Sequence, residues 1–309
     1  MAELQNKFLS FHLSGILLID KPEGPTSAQV VGRVKRILGA KRVGHLGTLD
    51  PFASGLLPLA INEATKIAQL FLAAPKSYTG IITLGAETDT EDSTGRVVEV
   101  REVPSFGERE IEKLERAFTG TLRQTPPMFS AIKQGGVRLY DLARKGQSVP
   151  RTPREIKIER LRLWKVGPAE LGFEVNCSKG TYVRTLAADM GRFLGCGAHL
   201  KSLRRLSCGH LGLEQAISFT EIERLKDRGE LPLLSLNQVL KDLREICLDN
   251  GSLSQIRMGR QEAVARLGAP EGGEQYMRLV DAKGDLVALA QWAEETTGGR
   301  WHLFRVFAS

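Results

Sequence analysis

The apolar and polar positions along the chain predict a mixture of strands and helices. Gly15–Asp20 (GILLID) is a short apolar run that reads as a buried strand. After the Lys21–Pro25 turn, Thr26 or Ser27 can cap a helix to about Leu38, in which Val30, Val34, Ile37 and Leu38 share one face. Leu56–Ile61 predicts a strand and Ala64–Ala73 a helix. Ser77–Leu84 and Arg96–Val103 predict two strands of one sheet, joined by an acidic connection. Helical spacing returns over Glu108–Phe118, where Ile111, Leu114, Ala117 and Phe118 line up. Arg154–Trp164 and Leu171–Cys177 alternate as strands, Thr181–Leu194 reads as a helix, and Leu200–Leu206 as an edge strand. Ser218–Glu221 and Thr220–Glu223 both offer capping boxes for a helix to about Arg228. Beyond about Asp249 the strands shorten to Tyr276–Asp281, Leu286–Gln291 and Trp301–Val306 between Gly-rich turns. That last stretch predicts a small β-rich module, near the size floor for folding alone and so expected to dock on the rest.

Two segments lack a period. Gly39–Gly55 is a glycine-marked structured loop. Gln124–Pro153 carries prolines and a short helix (Val137–Lys145), and reads as an insertion projecting from the sheet, because loops of this length are usually functional.

Composition narrows the class. The 309 residues suit roughly two domains, and 42% hydrophobic with 26% charged residues is ordinary for a globular chain. With 32 Gly and 13 Pro, a collagen-like or low-complexity chain is excluded. No apolar run approaches the ~20 residues of a membrane helix. Leu13–Ile19 is short and lacks a signal peptide's basic end and cleavage site, so a soluble, cytoplasmic protein is expected. Cys177, Cys196, Cys208 and Cys247 form no C-x-x-C, and the histidines no H-x-x-x-H pair. Buried thiols and no dedicated metal site are expected.

Charge changes the picture further. The net +7 is segregated. Gly120–Lys165 holds eleven Lys/Arg against three acids, Gly24–Leu49 five against none, and Met190–Leu213 four against none. Glu87–Glu115 holds ten acids against four bases, and Asn250 onward balances seven against seven. Any one basic stretch can be a solvated face, but three uncompensated stretches point to a polyanion, because each cation on a phosphate releases a condensed counterion. Aromatic residues are 6%, too few for long single-strand stacking platforms, so a structured nucleic acid fits better. Arg144, Lys145 and Arg151 are the phosphate contacts expected of the insertion, and Arg257 and Arg260 those of the terminal module.

Gly44–Gly55 reads G-H-L-G-T-L-D-P-F-A-S-G and sets one carboxylate, Asp50, and one imidazole, His45, beside basic flanks. Taken alone, Asp50-Pro51 reads as a turn and His45 as a structural histidine. The wider sequence carries more. The loop resembles the G-x-L-D-P-x-A-x-G motif of the TruB family of tRNA pseudouridine synthases, in which the Asp is indispensable. Lys21-Pro22 resembles the family's K-P motif, Ser77-Tyr78-Thr79 the strand bearing its active-site Tyr, and Gly180–Thr185 its G-T-Y-x-R-T motif. Gly195–His199 and Leu203-Arg204-Arg205 resemble the family's helix end and the strand after it, and Gln124–Lys133 resembles its thumb insertion. The tail resembles a PUA domain more loosely, and Met1–His12 has no counterpart.

The resemblance implies an α+β pseudouridine synthase fold, with a mixed, mainly antiparallel sheet, flanking helices and a thumb insertion at 124–153. It implies a catalytic domain over 13–248, a PUA-like domain over 249–309 and an N-terminal tail at 1–12. It implies a monomer that isomerises uridine 55 in the T-loop of tRNA, binding the T-arm, flipping the base out and requiring no cofactor. Asp50 is then the catalytic carboxylate and Arg184 the cation paired with it. Tyr78 stacks on the extracted base and can relay a proton, while Tyr182 packs beside the pocket and Leu203 caps it, a core role for Leu203 being nearly as good. His45 fills the vacated stack, and Lys21 lies at the substrate site. Asp89 or Asp92 could add a second carboxylate, although acidic turn chemistry explains that stretch as well. Two alternatives stand beside this reading: an RNA-guided relative of the archaeal and eukaryotic type, and an RNA-folding chaperone on the same scaffold.

Overall fold

The computed structural model describes residues 14–130, 132–265, 267–270, 272–294 and 298–307. The expected tail at 1–12 lies outside them. In chain order the strands are β1 (Gly15–Lys21), β2 (Val43–His45), β3 (Ser54–Ile61), β4 (Lys76–Leu84), β5 (Ala86–Thr88) and β6 (Val97–Val100). There follow β7 (Gly120–Gln124), β8 (Lys133–Gln134), β9 (Val137–Arg138), β10 (Arg154–Gly167), β11 (Glu170–Cys177), β12 (Ala198–Cys208) and β13 (Leu211–Gly212). The chain ends with β14 (Ile217–Ser218), β15 (Leu233–Leu234), β16 (Arg244–Cys247), β17 (Tyr276–Val280), β18 (Leu286–Ala293) and β19 (Arg300–Val306).

Eleven of these strands form one sheet with the path β14-β1-β3-β12-β4-β11-β10-β7, onto which β13, β15 and β2 add. Its pairs are antiparallel except β1 with β14 and β12 with β3. The α+β class with a mixed, mainly antiparallel sheet holds. Helices Ser27–Leu38, Glu108–Ala117 and Val183–Phe193 cover one face. They close a core with Leu17, Ile19, Leu57, Leu59, Ile82, Ile158, Phe173, Val175 and Leu200. Thr26 caps the first of these helices, its hydroxyl accepting from the Gln29 amide at 3.1 Å. Ser27, the other candidate cap, is turned to a different use at the site.

Three expectations are corrected. The segment expected to run from Arg96 to Val103 does not join Ser77–Leu84 in a sheet: β6 pairs with β5 in a separate two-stranded ribbon, and all four of its residues are exposed. Gly85, at φ 89°, turns the chain out of the main sheet just after β4. Leu200–Leu206 is not an edge. It lies within β12, between β3 and β4, where Leu200 and Leu203 join the core and Lys201, Ser202 and Arg204 stay at least partly exposed. Cys247 is exposed, whereas Cys177, Cys196 and Cys208 are buried as expected.

The C-terminal part folds as a four-stranded sheet, β16-β17-β18-β19, so its first strand lies ahead of residue 249. Helices Asn250–Arg257 and Glu262–Ala265 pack on it, burying Ile256, Val264, Met277, Leu279 and Trp301. Leu289 and Phe307 turn the other way and join Ile16, Leu18, Leu56, Ala60 and Phe71 of the main domain. Lys66 Nζ donates to the Val306 carbonyl at 2.7 Å, and Arg305 Nε to the Lys66 carbonyl at 3.1 Å. The small module therefore docks through a shared apolar core.

Leu289→Ala should cost about 2–5 kcal/mol, the usual range for emptying a fully buried Leu site. Urea denaturation should show the Trp292 and Trp301 fluorescence and the far-ultraviolet signal moving together, since that side chain belongs to both layers.

Candidate active site

The glycine-marked segment becomes a hairpin. β2 pairs with β3 (His45 opposite Leu59), and Leu46–Ala53 forms the loop between them. Each part of the loop backbone is held from a different element. The Ser27 hydroxyl donates to the Leu49 carbonyl at 2.8 Å and accepts from its amide at 2.9 Å. The Pro51 carbonyl accepts from the Gly24 amide at 2.8 Å and from Lys21 Nζ at 3.3 Å. Arg205, on β12, donates to the carbonyls of Leu56 (2.6 Å), Thr48 (3.2 Å) and Gly47 (3.1 Å). This clip demands close approach. Gly55 sits at φ 100°, and a Cβ there would lie 2.4 Å from the Arg205 carbonyl oxygen, so glycine is required on both counts.

With Leu49 and Pro51 fixed on either side, the Asp50 side chain projects from a rigid backbone. It is 38% exposed, and its Oδ2 lies 3.0 Å from Arg184 Nε. Arg184 stands in the first turn of helix Val183–Phe193 and is 6% exposed. Its other two nitrogens are also engaged: Nη1 to the Thr90 carbonyl (3.0 Å) and Asp92 Oδ2 (3.3 Å), and Nη2 to the Phe129 carbonyl (3.0 Å).

Asp92 is the residue that sequence reasoning undervalued. Its Oδ1 performs the expected turn chemistry, accepting from the Thr90 hydroxyl (2.8 Å), the Thr94 amide (3.0 Å) and the Thr94 hydroxyl (2.6 Å). Its Oδ2 is the second carboxylate on Arg184, and the residue is 3% exposed. The T-D-T-E-D-S-T-G spacing carried the turn, but a partner 92 residues away leaves no local signal. Asp89 is turned elsewhere, to the Arg96 amide at 2.8 Å.

The loop floor is cationic. Lys21, Lys76 and Arg205 are 0%, 7% and 1% exposed and bond main-chain carbonyls. Lys76 serves the carbonyls of Phe71, Leu72 and Ala74, where the helix Ala68–Ala73 ends. Burial pushes its ammonium down from the usual lysine range. Lys21 holds the carbonyls of Pro22 and Pro25 as well as Pro51. Burial lowers it to about 8, against the attraction of Asp50.

The other expected site residues fall around this floor. Tyr78, on β4, is the register partner of Arg205 on β12, and burial pushes its phenol up to about 12. It is therefore a neutral phenol at neutral pH. His45 is lowered by burial and then by Arg205, so its ring is neutral as well; its Nδ1 is buried without a hydrogen-bond partner among the described residues. Tyr182 is the residue just before the Arg184 helix, and burial raises its phenol. Leu203, opposite Gly80 in the sheet, is 6% exposed and lies within the main core, which fits the core role better. Arg151 is not a free cation: its Nη1 donates to the Pro126 carbonyl at 2.9 Å. Arg257 lies 3.9 Å from Asp281. Among the described residues no group of three or more His, Cys, Asp or Glu converges on a metal site, and no helix is long and apolar enough to cross a membrane.

Residues 35–183 match the TruB family pseudouridylate synthase N-terminal domain, and residues 184–246 the tRNA pseudouridylate synthase B C-terminal domain. A protein of Syntrophobacter fumaroxidans named tRNA pseudouridine synthase B is 43% identical over 300 residues, covering 95% of this chain and 98% of its own. One of Geobacter sulfurreducens with the same name is 42% identical over 308 residues, covering 96% and 100%. The chain belongs to the TruB family of pseudouridylate synthases. Among solved structures, the subunit aligned from a Cbf5-Nop10-Gar1 complex superposes over 100% of this chain and 86% of its own, with a TM-score of 0.72 and 24% identity. At that identity the likeness concerns the fold. The TruB N-terminal match holds both the Asp50 loop and, at its end, Tyr182, while Arg184 opens the C-terminal match. The Asp50–Arg184 contact thus spans the two matched regions of this TruB chain.

The Lys21 shift has a sign. Between pH 8 and 10.5 the unfolded chain holds a proton that the folded chain has released, so this lysine's contribution to stability rises with pH across that window. Unfolding free energies measured from pH 7 to 10 should show wild type gaining on Lys21→Met as pH rises. A difference that stays flat would mean that the buried ammonium keeps its charge.

Proposed function

We propose that this chain converts uridine 55 in the T-loop of tRNA to pseudouridine, with Asp50 as the catalytic carboxylate. Membership of the TruB family and the names of its relatives support tRNA as the substrate class. The observation that carries the reading is Asp50 itself: partly exposed on a rigid loop and bonded to a buried guanidinium. In the isomerisation the N1–C1′ bond breaks, the uracil turns, C5 bonds to C1′, the C5 proton leaves and N1 takes up a proton. Nothing is oxidised and no group is gained, so the reaction requires no cofactor. It needs a carboxylate at the sugar–base junction, either to stabilise or trap the cationic sugar or to move a proton. Arg184 holds that carboxylate in place through its 3.0 Å contact with Asp50 Oδ2.

The base must leave its stack at a cost of a few kcal/mol. A neutral Tyr78 offers an apolar face to the extracted uracil. The neutral His45 suits a stacking role in the vacated space rather than proton transfer. Tyr182 and Lys21 complete the pocket's wall and floor, and Leu203 packs behind them. The insertion at 124–153 acts as the thumb that grips the T-arm, and the β16–β19 module as a PUA-like domain. A cleft of about 840 Å³ between that module and the main sheet is lined both by Lys41, Arg42, Arg257 and Lys283 and by the carboxylates of Glu63, Asp281 and Asp285, a mixed charge that suits shape recognition better than phosphate binding. A chain with its own basic insertion fits a stand-alone, monomeric enzyme better than an RNA-guided one.

Tritium release from a T-arm hairpin carrying [5-³H]uridine tests the reading, because the C5 hydrogen leaves only when the C–C bond forms. Asp50→Asn should abolish release while hairpin affinity stays within several-fold; turnover near wild type would refute the role of Asp50. Replacing Lys133, Arg144 and Lys145, all exposed, with Gln should flatten the logarithmic salt dependence of tRNA binding by up to ~0.9 for each phosphate deprived of its cation. An unchanged slope would show that the insertion does not touch phosphate.

A further inference from the structure

Gln124 is the last residue of β7 and is 3% exposed. Its carboxamide meets the main chain of one residue twice: Nε2 donates to the Tyr182 carbonyl at 3.0 Å, and Oε1 accepts from the Tyr182 amide at 2.8 Å. Tyr182 precedes the helix that carries Arg184. That helix has no side-chain cap of its own and no acid in its first turn. Its beginning is fastened from another strand instead.

Gln124 pairs with Arg154, so the basic insertion leaves and re-enters the sheet at this point. Two further bonds close the root. Arg151, near the insertion's end, donates to the Pro126 carbonyl near its start at 2.9 Å. The Phe129 carbonyl accepts from Arg184 Nη2 at 3.0 Å. A path thus runs from Gln124 by hydrogen bonds to the Tyr182 main chain, along the chain to Arg184, and from Arg184 by a hydrogen bond back into the insertion.

We propose that Gln124 is a positioning residue that ties the root of the basic insertion to the helix of Arg184, so that seating the insertion and aligning Arg184 on Asp50 are one event. The proposal rests on the uridine-isomerising reading above for its consequence, but not for its geometry. The residue type follows from the bonds. A single planar head must supply one donor and one acceptor, which a carboxamide does. A neutral carboxyl does so too. An ionised carboxylate keeps the acceptor, loses the donor and sets a charge against the Tyr182 carbonyl, and an alkyl chain supplies neither.

Two variants and two measurements test this. In single-turnover tritium release, Gln124→Leu should lower the rate at saturating tRNA by about tenfold or more, with half-saturation within about threefold, because the loss falls on the aligned state rather than on RNA contact. Gln124→Glu should match that loss at pH 8 and recover toward wild type as pH falls and the introduced carboxyl takes up its proton. A purely structural defect would not regain activity in acid. A Gln124→Glu to wild-type ratio that is flat with pH, an effect confined to half-saturation, or a normal rate in Gln124→Leu would each overturn the proposal. Hydrogen exchange supplies a reading independent of turnover: in Gln124→Leu, residues 125–130 and the first turn of Val183–Phe193 should lose protection together. Loss in one alone would also overturn it. Wild-type protein that releases no tritium would instead refute the uridine reading, and the exchange result would still decide the coupling.

Discussion

A guanidinium leaves water at low cost only if its N–H groups find acceptors, and each of the three nitrogens of Arg184 finds one among parts drawn from across the sequence. Two carboxylates, from the β2–β3 hairpin and from the turn between β5 and β6, and two carbonyls, at Thr90 and Phe129, converge on it. Removing one partner from a buried ion pair typically costs about 3–5 kcal/mol, because a charge is then left unmet. The loop, the acidic turn, the insertion and the helix are therefore mutually fixed by one side chain.

The second constraint is the backbone of the Asp50 loop. Loops expose carbonyls that water normally satisfies, yet this one lies against the sheet. Arg205, Lys21 and the Ser27 hydroxyl take the place of water. Cations bonded to carbonyls keep a positive potential under Asp50, and the same burial keeps His45 and Tyr78 neutral. Rigidity and electrostatics at the site thus have one source.

Much of this was legible in the chain. The apolar run of β1, the Thr26 cap, the period of Glu108–Ala117 and the alternation of β10 and β11 depend on residues a few positions apart, and their predicted bounds agree with the observed elements to within a few residues. The central place of β12 was not legible, because local chemistry does not report a strand's neighbours: Leu200–Leu206 sets polar pairs between its leucines although strands flank it on both sides. The ribbon of β5 and β6 was hidden for a similar reason. Val97, Val98 and Val100 have strand-like chemistry but stay in water. For the site, the resemblance named Asp50, Tyr78 and Arg184 together. The residues alone pointed no further than a turn.

By itself the sequence determined the local elements, the segregation of charge and the presence of a carboxylate loop, since propensity, capping and spacing act over short range. Only the tertiary structure decided which oxygen of Asp92 caps its turn and which holds Arg184. It also decided that Arg205 serves the carbonyls of the Asp50 loop, and that the insertion is bonded to the helix that carries Arg184. Those outcomes depend on which buried donor meets which acceptor once burial has removed water from the competition, and that pairing is a property of the folded arrangement.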